Sequence, residues 1–264
     1  MHRDLVPRFC RDGQRSGGRT LRGRAAVTCR RDPVITIDGP AGAGKSTTAR
    51  EVARRLGFRL VDTGALYRAL AWALMRAGVS PEDEQGVGAL LARTTVELAD
   101  MGDDGGADGG AGWRVLVNGR DVTAEIRTPE IALTTSRLTA LRAVRDKMTP
   151  LQRGLAAAGG VVLEGRDTGS VVCPDAEVKV YLDADLTERA RRRRDELAAH
   201  GLPADYESVK AEVALRDRQD MERELAPLRK PPGAVTVDST ALSTEAVVLR
   251  ILDAVEQARC CTRS

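Results

Sequence analysis

The stretch GPAGAGKST, residues 39–47, limits what this chain can fold into more than any other. It fits G-x-x-x-x-G-K-[ST], and its flanks are those the pattern requires. The β-branched run VITID (34–38) reads as a buried strand before it. STTAREVARRLG (46–57) reads as a helix after it, closed by Gly57 as C-cap. Glycines let backbone N–H groups curl around a polyphosphate, and the helix N-terminus adds partial positive charge. Gly39, Pro40, Ala41, Gly42, Ala43, Gly44, Lys45, Ser46 and Thr47 would form that cradle. Lys45 can reach the β and γ oxygens of a nucleoside triphosphate, while the Ser46 hydroxyl can ligate Mg²⁺. GTPase switches, motor ATPases, helicases and small-molecule kinases all share such a loop, so the rest of the chain must decide.

From Pro33 onward the pattern alternates strand and helix. FRLVD (58–62) reads as a second strand, followed by a helix to about Gly78. A further helix over Pro81–Arg93 takes Ser80 as N-cap. TTVELAD and WRVLVNGRDVT are short β-rich runs separated by the low-complexity loop MGDDGGADGGAG, which suggests a small antiparallel insert over about 93–127. Helices at 129–140 and 142–158 come next. VVLEG (161–165) and AEVKVYLDA (176–184) are continuous apolar runs of the kind that strands buried on both faces require. Helices at 186–199 and 205–222, strand AVTVDS and a last helix over Thr244–Arg259 complete the rhythm. Repeated β–α units predict an α/β fold, a parallel sheet with helices on both faces. It forms a single domain over 32–264, its core at 33–92 and 128–264.

Composition excludes several classes. The chain has 264 residues, 42% of them hydrophobic, and no apolar run long enough to span a membrane. Two histidines leave little room for a catalytic triad or a His-rich metal site. The five cysteines lack CxxC spacing, which fits reduced thiols in a cytoplasm. The net charge of +3 hides an asymmetry: residues 1–31 hold nine Arg against two Asp, or +7, leaving −4 elsewhere. That segment has no apolar period and no signal-peptide core. It reads as a disordered basic tail, with an organelle transit peptide and a nucleic-acid arm as alternatives. Only 3% of residues are aromatic, so no stacking platform for single-stranded nucleic acid is expected.

Strands of an open parallel sheet end at the crevice where ligands bind. LVDTGALYR (60–68) places Thr63 and Arg68 at one such end, and VVLEGRDTGS places Glu164, Arg166 and Asp167 at another. Unpaired charges there are expensive to bury, so they either pair or await a charged ligand. In SVKAEVALRDRQDMERELAPL, Val209 and Val213 mark the inward face of a helix, and the same stripe continues through Arg216, Asp220 and Arg223. The stripe looks into a polar cavity, unless it is a solvated salt-bridge ladder. Arg189, Arg192 and Arg193 share one helical face beside the segment AAHGLPADY, and a mobile arginine lid over about 186–206 is the expectation for them.

Five motifs, IDGPAGAGKST, DTGALYR, NGRDVTAEIRTPE, LEGRDTGSVV and RDRQDMERELAPL, stand in the order and spacing of the bacterial cytidylate kinase family, and the resemblance runs from about Val34 to Gln257. It implies the P-loop nucleoside-monophosphate kinase fold, with a nucleotide-binding insert and a short lid. It also implies transfer of the γ-phosphoryl of MgATP to CMP or dCMP by a monomer. By position, Arg68, Arg166 and Arg223 would hold the acceptor phosphate. Ser136, Arg145 and Asp167 would read cytosine, Arg216 and Asp220 would contact the sugar, and Thr63 would lie near the acceptor base or phosphate. Lys45, Arg166, Arg189 and Arg193 would stabilise the transferring charge. Ser46 and Glu164 would lie at the metal, although many relatives carry Asp where this chain has Glu164. The basic tail has no counterpart in the family pattern. Rival readings are a P-loop kinase for UMP, AMP or shikimate, and a non-catalytic nucleotide-binding regulator.

Overall fold

Alternate residues of the sheet go into two separate apolar clusters, and this is what fixes the layers. The computed structural model describes residues 32–100, 113–199 and 201–261; the basic tail and the loop 101–112 lie outside them. Five parallel strands run in the order β2 (Arg59–Asp62), β6 (Val161–Gly165), β1 (Val34–Asp38), β7 (Val178–Asp183), β8 (Val235–Asp238). Ile35, Ile37, Val162, Val180 and Leu182 pack against α1 (Lys45–Leu56) and α8 (Thr244–Cys261) through Ala49, Val52, Val248 and Ile251. Val34, Val161 and Leu163 point the other way, toward Ala156 and Val172. That is the period-two pattern of a sheet covered on both sides.

The expected order of elements holds, with local corrections. The helix α3 spans Glu84–Arg93 rather than starting at Pro81, because the N-cap is Asp83, whose carboxylate accepts from Gly86 N–H at 2.9 Å. Strand β7 is buried only on alternate residues, with Lys179, Tyr181 and Asp183 partly exposed, so its apolar run does not signify burial on both faces. Chain reversal after β6 also uses a feature absent from the sequence reading, a single π-helical turn over Thr168–Val172.

The insert is a three-stranded antiparallel sheet, β3 (Val96–Asp100), β4 (Trp113–Val117) and β5 (Arg120–Asp121). Its inward valines share a core with α2 (Thr63–Ala77), α4 (Pro129–Leu138) and α5 (Arg142–Ala156), in which Leu66, Leu70 and Leu74 are fully buried. The insert is thereby seated on the same helix that begins at the Asp62-Thr63 junction. Replacing Leu70 with Ala removes a side chain with no exposed surface from this shared core. It should lower unfolding free energy by about 2–5 kcal/mol in a denaturant titration, and a loss under about 1 kcal/mol would mean that this core is not what holds the insert to α2.

Candidate functional site

Parallel pairing brings three strand ends level. Asp38 of β1 lies opposite Gly165, and Asp62 of β2 lies opposite Glu164 of β6. Beyond β1 the chain passes through Gly39, Gly42 and Gly44, of which Gly42 and Gly44 have φ of 75° and 89°, and enters α1 at Lys45. A Cβ on Gly42 would lie 2.8 Å from the Arg189 carbonyl oxygen, so glycine is needed here for both backbone conformation and space. The first turn of α1 has no side-chain cap and no acidic residue. Its N–H groups are therefore open to an anion, whereas α2 spends its own on Asp62, which accepts from Ala65 N–H.

The cavity in front of this helix end has a volume of about 220 Å³. Its wall brings together Ala41, Gly42, Lys45 and Ser46 from the loop and Thr63 and Arg68 from α2. It also includes Ser136 and Arg145 from α4 and α5, and Glu164, Arg166 and Asp167 from the end of β6. Arg193 of α6 (Leu186–Ala199) and Arg216, Asp220 and Arg223 at α7 (Tyr206–Glu222) close it. The α7 stripe thus faces a polar cavity and is no solvated ladder: Val209 and Val213 are buried in line with Asp220. Tyr67, Thr135 and Thr139 also line the wall, and the sequence reading did not single them out.

Most charges on this wall are already met. Arg166 donates through Nε to Asp220 at 2.8 Å, and Arg145 donates through Nη1 to Asp167 at 2.8 Å and through Nε to the Thr139 carbonyl at 2.6 Å. Arg223 stands 3.6 Å from both Asp167 and Asp220, and Arg68 donates to Asp62 at 2.8 Å. Burial alone would raise the Asp220 pKa, but Arg166, Arg216 and Arg223 hold it below the ordinary carboxylate value.

Of the cations on this wall, Lys45 and Arg216 lack a carboxylate within ion-pair distance among the described residues. Lys45 donates to its own loop, at the Pro40 carbonyl, 2.7 Å away. Burial, with Arg166 nearby, pushes its pKa well down. Arg216 is likewise lowered, to about 10, by burial and by Arg166. In addition, Arg145 Nη2, Arg223 Nη2 and Arg68 Nε are buried and make no hydrogen bond. Buried donors with unused hydrogen bonds on a cavity wall suit a polyanion.

The expected lid divides. Arg189 is buried: it donates through Nε to the Ala184 carbonyl, and through Nη1 to the Ala41 carbonyl at 3.0 Å and to Asp217. Asp217 in turn accepts from Ala41 N–H at 3.1 Å. Arg189 therefore braces the glycine loop from beneath. Arg192 is held by Glu188 and Ser239, and Arg193, on the cavity wall, pairs with Glu196. Asp217 was missed because it lies just outside the inward stripe of α7. Asp38 was missed because it reads as the last residue of a strand. Its buried carboxylate accepts from Thr168 N–H and Oγ–H, both at 2.8 Å, and from Gly169 N–H at 2.7 Å. That fastens the turn after Arg166 and Asp167 to β1. A polar side chain ending an apolar run directly before the glycine loop was the available signal.

Glu164 is buried beside Lys45 and Ser46, and Thr63 Oγ donates to its carbonyl at 2.7 Å. Burial, then the Asp62 carboxylate, raises its side-chain pKa from 4.5 to about 7. A carboxyl group whose pKa is raised on folding binds its proton more tightly in the folded chain, so stability falls as pH climbs between those two values. The unliganded protein should lose stability over that interval, and Glu164→Gln should remove on the order of 1–3 kcal/mol of the slope in denaturation curves taken across it. An unchanged slope would place the titration elsewhere.

Comparison with known proteins bears on the same residues. A family model described as cytidylate kinase matches residues 35–257. The cytidylate kinase of Geobacillus kaustophilus is 48% identical over 223 residues, covering 84% of this chain and 96% of that protein. That of Carboxydothermus hydrogenoformans is 47% identical over 219 residues, covering 83% and 95%. In the bifunctional pantoate ligase/cytidylate kinase of Synechococcus elongatus, 46% identity over 222 residues covers 84% of this chain but 42% of the longer protein. The matched span carries the glycine loop, both polar strand ends and the α7 stripe, so the chain belongs to the cytidylate kinase family.

Proposed function

We propose that the protein transfers the γ-phosphoryl group of ATP to CMP or dCMP, giving ADP and CDP or dCDP, and that the cavity described above holds both reacting ends. The observation that carries this reading is the pairing of an uncapped helix end and Lys45 with Arg166, Arg216 and Arg223 across one small cavity. The donor's polyphosphate would lie on loop residues 39–47, and the acceptor phosphate on Arg68, Arg166 and Arg223. Thr63 would stand beside the acceptor, and Arg216 and Asp220 would hold its sugar. An acceptor phosphate is already anionic at neutral pH, so no strong base is required; positioning and charge stabilisation by Lys45, Arg166, Arg189 and Arg193 do the chemistry. Of these, Arg189 would act through the shape of the loop it braces.

Mg²⁺ suits the site. Ser46 and Glu164 offer two oxygen donors and, among the described residues, no cluster of three or more His, Cys, Asp or Glu is present to cage a metal. Ser46 and Glu164 would hold Mg²⁺ alongside substrate phosphates and water, and the ion would supply neutralisation of phosphate charge there.

Asp167 supports the choice of base. Its carboxylate, held by Arg145, can only accept hydrogen bonds while ionised. The cytosine N4 amino group donates, whereas uracil presents an oxygen there. Cytoplasmic pyrimidine nucleotide metabolism by a monomer fits this reading, and no described helix is long and apolar enough to cross a membrane.

Two assays test it. With ATP and Mg²⁺, ADP release should be fast with CMP and dCMP and slow with UMP, AMP and shikimate; preference for AMP or shikimate would overturn the reading. Asp167→Ala should lower the CMP/UMP ratio of kcat/KM by roughly tenfold or more, and an unchanged ratio would show that the base is read by other residues.

A further inference from the structure

Base choice has a component that Asp167 does not supply. Ser136 of α4 lines the cavity, and its Oγ donates to Gln219 Oε1 of α7 at 2.8 Å. Gln219 is exposed and does not line the cavity itself. A serine hydroxyl carries one proton and two lone pairs. Once the proton is committed to Gln219, the oxygen can only accept from whatever occupies the cavity.

We propose that Gln219 is a positioning residue for base selection: by taking the Ser136 proton it turns that hydroxyl into an obligate acceptor. The proposal rests on the CMP reading above, in which Ser136 and Asp167 face the pyrimidine edge. An exocyclic amino group carries two N–H bonds, and the wall then presents two acceptors, the Asp167 carboxylate and Ser136 Oγ. A keto oxygen at the same place meets lone pairs from both. Without Gln219, the Ser136 hydroxyl rotates and donates to the keto oxygen, restoring one hydrogen bond to uracil. Gln219 closes that route. The end of α4 is also tied at Ser136, since Thr139 Oγ, at the C-cap, donates to the Ser136 carbonyl at 2.9 Å.

Three substitutions at this exposed position separate the possibilities with little risk to folding. Gln219→Glu keeps an acceptor facing Ser136. Gln219→Met removes the partner, and Gln219→Lys offers only donors, which turns the serine proton toward the cavity. The readouts are kcat/KM for CMP and for UMP with MgATP, and Kd for each nucleotide without ATP by calorimetry. The Glu variant should keep the wild-type CMP/UMP ratio within about twofold. The Met variant should lower it roughly threefold to tenfold, and the Lys variant should lower it most, with UMP binding strengthened in absolute terms. A ratio unchanged in the Met and Lys variants, with CMP turnover intact, overturns the proposal and leaves the CMP reading standing. Equal losses for both nucleotides in all three variants also overturn it, since they mark a purely structural contact. Absence of CMP turnover in the wild-type protein removes the CMP reading itself, and this proposal with it.

Discussion

Positive charge in a space short of water is the constraint around which this protein is arranged. A guanidinium or ammonium group removed from water must meet a carboxylate, or it loses affinity for its proton and destabilises the fold. Asp62, Asp167 and Asp220 meet Arg68, Arg145, Arg166 and Arg223. Lys45 and Arg216 are left with depressed pKa values and no carboxylate partner within ion-pair distance among the described residues. Adding another carboxylate would relieve them, but it would also repel phosphate. A site that is held together and yet short of negative charge suits an anionic ligand.

The sheet supplies the precision that such a site needs. Register places the ends of β2, β6 and β1 level, and three hydrogen bonds accepted by Asp38 hold the π-helical turn that follows Arg166 and Asp167. Gly169 is required beside that carboxylate, since a Cβ there would lie 2.6 Å from Thr36 Oγ. On the other side, Asp217 and Arg189 grip the N–H and C=O of Ala41. The helix α7 therefore carries cavity-wall groups at Arg216 and Asp220 and a brace for the glycine loop at Asp217. One rigid element sets the spacing between the two halves of the site, and placing reacting groups is worth more here than any single acid or base.

Much of this was legible in the sequence because its signals are local. A glycine loop between a β-branched run and a helix has few alternatives, and the turn from Val209 and Val213 to Arg216 and Asp220 along one helical face marks a cavity wall. What escaped depends on partners far away along the chain. Asp38 meets Thr168 across 130 positions, and Arg189 meets Ala41 across 148; no periodicity announces either. The bracing role of Arg189 escaped for the same reason. Arg189 and Arg193 lie on one helical face, but the first is buried under the loop and the second lies on the cavity wall. Asp83 replaces Ser80 as the helix cap because residues 80–83 close a turn first, with Asp83 N–H donating to the Ser80 carbonyl at 3.1 Å.

The most direct test is inhibition by adenosine and cytidine joined 5′ to 5′ through a chain of five phosphates. Such a molecule spans both halves of the crevice only if the amide-lined end of α1 and the arginine-lined wall face one another across a phosphoryl group's width. The account predicts inhibition competitive with ATP and also with CMP, with one molecule bound per chain. Competition with ATP alone, leaving CMP binding untouched, would contradict it.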